Sequence, residues 1–362
     1  MMSEFDVIVI GAGPAGSYAA LTAARKGCSV AMFEEHAAVG WPRHDPGWLM
    51  ETEFTKSLVT ALEKTLPWIK IKEFRVSSGE SGALIEASTQ AGYLVRRDLL
   101  EKEMAGLAVK AGAKLYLRTK VVKLVKGQGG VEAVETNSAQ LPTVKGKVII
   151  CADGIRSAGN GFAVKEGLCE GVVVRPGISY LLANADVTPG VVDQFLSSEA
   201  LLNYRCFWTH GNGMCFVGFP SLKAFDELKQ RTDNAVSRKI RNAYPVELSG
   251  FSRTSSGKYG QYFKSFARDN VLYVGDASGG AGCIHGMIQG QFAATVAASA
   301  IKDNDVSASR LSEYQERVLK TLGKAPFFYF SAREDFGTFE NWFREVEAAT
   351  KGIIATEVLA TS

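Results

Sequence analysis

Residues 5–10 are apolar except for Asp6 and are closed by glycine, the pattern of a strand buried on both faces of a parallel sheet. A Gly-rich turn and an Ala/Leu-rich helical stretch to about Arg25 follow, and residues 29–33 read as a second strand. The chain therefore opens as a β-α-β unit. Residues 51–90 mix aromatic and charged positions without a clear period, which marks them as an insertion belonging to another domain. Helical spacing returns over residues 97–110, with Leu99, Leu100, Met104, Leu107 and Ala108 on one stripe. Short strands are predicted at 114–117, 121–125 and 131–136, the last two joined by a Gly-rich turn, and a buried strand at 148–151. Residues 171–262 are rich in β-formers and aromatics around one charged helix near 223–244. Residues 271–274 read as a return to the first sheet, and 286–301 as a helix of small residues that can pack closely.

Composition narrows the classes without changing the pattern. A length of 362 residues is comfortable for two domains, and 46% hydrophobic with 22% charged residues gives no sign of disorder. The formal net charge of +3 is spread along the chain, so no nucleic-acid partner is expected. Cys28, Cys151, Cys169, Cys206, Cys215 and Cys283 are scattered without a C-x-x-C pair, which argues against a disulfide framework and against a metal site. Reduced thiols in a cytoplasmic protein are the simplest reading. Glu4 and Asp6 stand where a signal peptide needs basic residues, and no apolar run reaches the roughly 18–20 residues that span a bilayer. Peripheral membrane contact stays open, and oligomeric state carries no sequence signal.

Candidate chemistry begins at Gly11-Ala12-Gly13-Pro14-Ala15-Gly16, between the first strand and the first helix. Gly11 permits a tight turn, Gly13 lets backbone approach a pyrophosphate, and Gly16 lets the helix sit against the sheet. The helix start supplies N–H groups and a positive dipole end. Glu34, at the end of the second strand, can accept both hydroxyls of an adenosine ribose. Ala152-Asp153-Gly154 and Gly275-Asp276-Ala277 each follow a predicted strand. An aspartate there can accept from a ribityl or ribose hydroxyl, with glycine letting a cofactor lie against the backbone. A helix N-cap is the alternative role for each aspartate. Three such elements in one chain favour a long, extended cofactor, FAD, over NAD.

These residues, with Arg97 of Tyr93-Leu94-Val95-Arg96-Arg97 and the segment from Ile149 to Ser157, resemble the para-hydroxybenzoate hydroxylase fold group, and within it the geranylgeranyl reductase family. The resemblance covers roughly residues 5–305. It implies an α/β fold in which a Rossmann-type FAD-binding domain is interleaved with a mixed-sheet substrate domain, with the flavin ring at their junction. It also implies that Arg97 lies near the FAD phosphates and the backbone of Val121 near the adenine. The expected division is 1–50, 92–157 and 263–305 for the FAD-binding domain, 51–91 and 158–262 for the substrate domain, and 306–362 for a C-terminal helical segment.

Departures from the family pattern fall around the flavin. In Val39-Gly40-Trp41-Pro42-Arg43-His44-Asp45-Pro46-Gly47-Trp48, Asp45 stands about where the family has a cysteine. The family's Tyr-x-Trp-x-Phe-Pro cavity motif aligns with Tyr204-Arg205-Cys206-Phe207-Trp208-Thr209. Tyr204 alone is kept, and Cys206 and Trp208 replace the other aromatics in the expected substrate cavity. Cys283-Ile284-His285-Gly286-Met287-Ile288 takes the place of a proline and a Gly-rich helix start, and N–H groups near Gly286 and Met287 can stabilise negative charge on the pyrimidine side of a reduced flavin. His44 and His285, both read as loop residues near the flavin, are the candidate proton donors, with a backbone-bonded loop histidine as the alternative for each. The aromatic tail from Pro326 through Phe343 is read as a cavity cap or a membrane contact, or as ordinary helix packing.

The expected activity is reduction of carbon–carbon double bonds in a small, apolar, isoprenoid-like substrate. Hydride comes from reduced flavin, with NAD(P)H or a reduced carrier as electron donor. A flavin-dependent aromatic hydroxylase of the same fold, or a non-catalytic flavin-binding protein, are the alternatives.

Overall fold

Val7, Ile8, Val9 and Ile10 are all buried in the first strand, Ser3–Ile10, which lies at the centre of an eight-stranded sheet. The computed structural model describes residues 3–43, 45–89, 92–154, 158–168, 174–196, 205–209, 215–219, 222–254, 265–278, 282–322 and 338–359. In the eight-stranded sheet the order runs Ala267–Arg268, Val271–Tyr273, Thr143–Cys151, Ser3–Ile10, Val30–Phe33, Lys114–Tyr116. The five strands from Val271–Tyr273 to Lys114–Tyr116 run parallel. Helices Pro14–Arg25, Arg97–Lys110 and Cys283–Lys302 pack together in the same apolar cluster as this sheet. The antiparallel hairpin Val121–Lys126 and Val131–Thr136 adds to Thr143–Cys151. Asn270 pins it, its amide nitrogen donating to Val131 O at 2.7 Å and Lys147 O at 2.8 Å.

A seven-stranded sheet forms the second layer, in the order Tyr244–Thr254, Val174–Ala183, Cys215–Phe219, Arg205–Thr209, Val191–Leu196, Glu73–Ser78, Leu84–Ser88. Its two faces differ. Tyr180, Leu182, Phe195 and Val217 pack in one cluster with helices Leu222–Gln230 and Ala235–Ile240, whereas Phe74, Val76 and Val192 join the larger core shared with the first sheet. A three-stranded sheet of Trp48–Leu49, Gly92–Val95 and Trp68–Ile71 lies outside both of these. Residues 51–91 thus divide: Trp68–Ile71 joins the small sheet, while Glu73–Ser78 and Leu84–Ser88 extend the large one.

Two local expectations are corrected. The single helix near 223–244 is two helices, because Asn234 caps a new start, its Oδ1 accepting from Val236 N at 2.9 Å and Ser237 N at 3.3 Å. His285 is not a loop residue: the helix begins at Cys283, two residues before it, with Gly282 as N-cap and no side-chain cap to announce the start.

Candidate functional site

The register of the parallel sheet brings the chemically suggestive residues to one edge. Ile10 pairs with both Phe33 and Cys151, and Cys151 pairs with Tyr273. The segments that leave these strands, Gly11–Gly16, Glu34, Ala152–Gly154 and Gly275–Asp276, therefore emerge side by side at the carboxyl ends. That is where an open α/β sheet forms its ligand crevice.

Backbone sterics explain the glycines. Gly11 has φ of 95°, and a Cβ on it would stand 2.5 Å from Ala152 O. A Cβ on Gly16 would stand 1.9 Å from Gly11 O, so the helix start cannot retreat from the turn. Around Gly13, by contrast, nothing lies within 4 Å of the Cβ position. Gly13 is also the N-cap of Pro14–Arg25 and supplies no side-chain cap, which leaves this helix start suited to an anion. Glu34 is buried and tied to the turn: its Oε2 accepts from Ala12 N at 3.1 Å and its Oε1 from His36 N at 3.0 Å. The carboxylate stands beside the Gly-rich turn, where a ribose hydroxyl can reach it.

Arg97 opens the helix Arg97–Lys110, with only 11% of its side chain exposed. Its Nη1 lies 3.1 Å from Asp45 Oδ1 and its Nε 2.6 Å from Glu101 Oε1. The loop that brings Asp45 runs close over this helix start, since a Cβ on Gly40 would stand 2.8 Å from Asp98 Cα. Asp45 Oδ1 also accepts from Gly47 N at 2.7 Å, closing a local turn. Cys283 feels both charges. Burial pushes its thiol up to about 12, the nearby Arg97 cation opposes this, and Asp45, Glu101 and Asp276 add to it. Arg97, Asp45, Cys283 and Asp276 thus share one electrostatic neighbourhood.

Gly275–Ser278 is a turn of 3-10 helix with Gly275 at φ of 62°. Gln289 holds it from the long helix, Oε1 accepting from Gly275 N at 2.7 Å. Gly286 and Met287 are buried in the first turn and a half of that helix. Asp153 Oδ2 accepts from Gly159 N at a long 3.4 Å, so the capping role has a contact beside the cofactor role. Val121 is buried at the start of its strand. Burial lowers His285 to about 4, which makes the ring neutral at neutral pH.

Toward the seven-stranded sheet, Arg43 is 2% exposed and forks onto Glu247, Nη2 to Oε2 2.5 Å and Nε to Oε1 3.3 Å, with Asp98 Oδ1 at 3.8 Å. Trp48 stacks on Phe74 at 5.4 Å, and Phe343 meets Phe74 edge-on at 5.6 Å. Trp342 and Phe343 of the aromatic tail are buried in helix Phe339–Ala349. His44, Tyr204, residues 155–157 and the tail at 326–337 lie outside the described residues. Cys206 and Trp208 are placed by backbone alone, in strand Arg205–Thr209, in register with Gln194 and Val192. Sequence reasoning assigned no role to Arg43, Gln289 or Trp48. Only the fold brings Arg43 to Glu247, 204 residues away.

The residues present fit FAD on two structural grounds: the open space at Gly13 before an uncapped helix start, and acidic side chains at three strand ends that flank the glycine turn on both sides. Residues 6–155 match the family of FAD dependent oxidoreductases. The digeranylgeranylglycerophospholipid reductase of Thermoplasma acidophilum is 26% identical over 348 residues, covering 92% of this chain and 88% of that one. A geranylgeranyl bacteriochlorophyll reductase-like protein of Thermoplasma acidophilum shares the fold with TM-score 0.75 at 23% identity, covering 99% of this chain and 95% of the other. A point mutant of the halogenase PltM in complex with FAD aligns with TM-score 0.68 at 16% identity over 93% of this chain and 78% of its own.

Proposed function

We propose that this chain, an FAD-dependent oxidoreductase similar over most of its length to the geranylgeranyl reductases, reduces carbon–carbon double bonds of an isoprenoid-like substrate. The observation that carries the cofactor part is the register of Ile10 with Phe33 and Cys151, and of Cys151 with Tyr273. It sets the glycine turn, Glu34, Asp153 and Asp276 along one edge. The reduction is supported by the relatives' likeness across both sheets.

Bound FAD supplies the hydride that an alkene reduction needs, and NAD(P)H or a reduced carrier supplies its electrons. The chain's own residues bind and orient. N–H groups at the start of Pro14–Arg25 would hold the pyrophosphate, Glu34 would accept from the adenosine ribose, and Asp153 and Asp276 would accept from hydroxyls further along. Arg97 offers a cation to the phosphates by exchanging its contacts with Asp45 and Glu101. The start of Cys283–Lys302, through Gly286 and Met287, would offer positive backbone dipole to the pyrimidine side. Trp48, Phe74 and Phe343 pack into an apolar aromatic cluster beside the loop that carries Asp45. His285, neutral at neutral pH, is in the wrong state to deliver a stored proton. His44 is left as the histidine candidate for that step.

The test is an anaerobic single turnover. FAD-loaded protein, reduced and mixed with geranylgeraniol, is expected to lose its reducing equivalents at the rate at which the alkene gains two hydrogen atoms. A reduced protein that geranylgeraniol does not reoxidise, and that in a parallel run is reoxidised only by added oxygen with hydroxylation of an aromatic substrate, would overturn this in favour of the hydroxylase. Failure of every donor to reduce the loaded protein would favour a non-catalytic flavin binder.

A further inference from the structure

Gln194 lies in the strand Val191–Leu196 with 0% of its surface exposed. Among the described residues, neither its amide nitrogen nor its carbonyl oxygen has a hydrogen-bond partner. The alternation of the strand fixes which way it faces. Phe195 packs with the helix-side cluster, and Asp193 Oδ2 pairs with Lys239 of helix Ala235–Ile240 at 3.4 Å. Val192 and Gln194 therefore face the opposite way, into the core shared with the first sheet, where Val192 is found.

That face is apolar around Gln194. The register sets Gln194 beside Val76 and Val192 beside Phe74, and Trp48 and Phe343 cover Phe74. Trp48, three residues after Asp45, stacks on Phe74, so this face of the large sheet packs against the loop that carries Arg43 and Asp45, the latter paired with Arg97. A buried primary amide that bonds nothing costs a fold the desolvation of both its ends, a cost an apolar residue of the same shape does not carry. Such a group in an apolar wall is accounted for when a ligand's polar atom completes it.

We propose that Gln194 is a substrate-recognition residue that hydrogen-bonds a neutral, hydroxyl-type oxygen on an otherwise apolar substrate. This rests on the reading of the chain as a reductase of isoprenoid-like molecules. A carboxamide both donates and accepts, as a hydroxyl does, and carries no charge with which to compensate a buried anion. It fixes how far the chain slides along the wall, and so which double bond is presented.

The test measures equilibrium binding to the FAD-loaded protein by quenching of tryptophan fluorescence, with geranylgeraniol and with the hydrocarbon in which its hydroxyl is replaced by hydrogen. The wild type is expected to bind the alcohol more tightly than the hydrocarbon. Gln194→Leu is expected to weaken alcohol binding about tenfold, to leave hydrocarbon binding unchanged, and to melt no lower than the wild type. Equal loss for both ligands, no loss for either, or a melting temperature several degrees lower would each overturn the proposal by making Gln194 structural. Binding that depends on Gln194 without any turnover of the alcohol would instead retire the reductase reading and keep the site. Turnover with affinity independent of Gln194 would do the reverse.

Discussion

His285 shows how burial alone can settle what a side chain does. Its imidazole is enclosed at the start of the long helix and drops to about 4, below its ordinary value in an unfolded chain near 6.5. Between those values the unfolded chain binds the extra proton, so stability is intact above about pH 6.5 and is lost as pH falls toward 4. Replacing His285 with glutamine is expected to flatten the stability curve in that window by about 3 kcal/mol, read by urea unfolding at successive pH values. Features set by local backbone were legible in the sequence: the close approach at Gly11 and Gly16 by their spacing, and the place of Glu34 at a strand end. Arg43, Gln194 and Gln289 were not, since burial and partners distant in sequence define them.

At the scale of elements, the helix pair Pro14–Arg25 and Cys283–Lys302 holds two of the strand-end turns together. A Cβ on Gly290 would stand 2.4 Å from Ala15 O, and one on Gly286 would stand 3.3 Å from Ala15 Cβ. Close approach of this kind is what the run of small residues anticipated. The start of the long helix was read three residues late because Gly282 caps it without a side-chain signal. Gly290→Val has to push the helices apart against backbone, and is expected to cost about 3 kcal/mol and to weaken FAD binding in parallel. Thermal melts with and without FAD check this. A variant as stable as the wild type would show that the two helices do not hold each other as described.

Across the whole molecule, Arg43 ties the loop that carries Asp45 to Glu247 of the seven-stranded sheet and stands 3.8 Å from Asp98 at the helix start behind it. Glu247→Ala leaves a buried guanidinium with less compensation and is expected to cost about 3 kcal/mol, while Arg43→Met combined with Glu247→Leu recovers most of the loss. A double-mutant cycle by urea unfolding measures the coupling. The interleaving of nucleotide-type strands at the start, middle and end of the chain was readable, because a parallel strand buried on both faces is apolar throughout. The assembly of the large sheet from residues 73–254 was not, because its alternating strands carry no signal for which neighbour each will pair with. Among the described residues, no helix is long and apolar enough to cross a membrane. On the proposed function, FAD lies along the carboxyl ends of the parallel strands, against the Gly13 turn and Glu34. Titration of cofactor-free protein with FAD decides this. One FAD per chain is expected, with Glu34→Ala and Gly13→Val each weakening binding at least tenfold. A folded protein that stays colourless after reconstitution, or that binds FAD equally well in both variants, would contradict it.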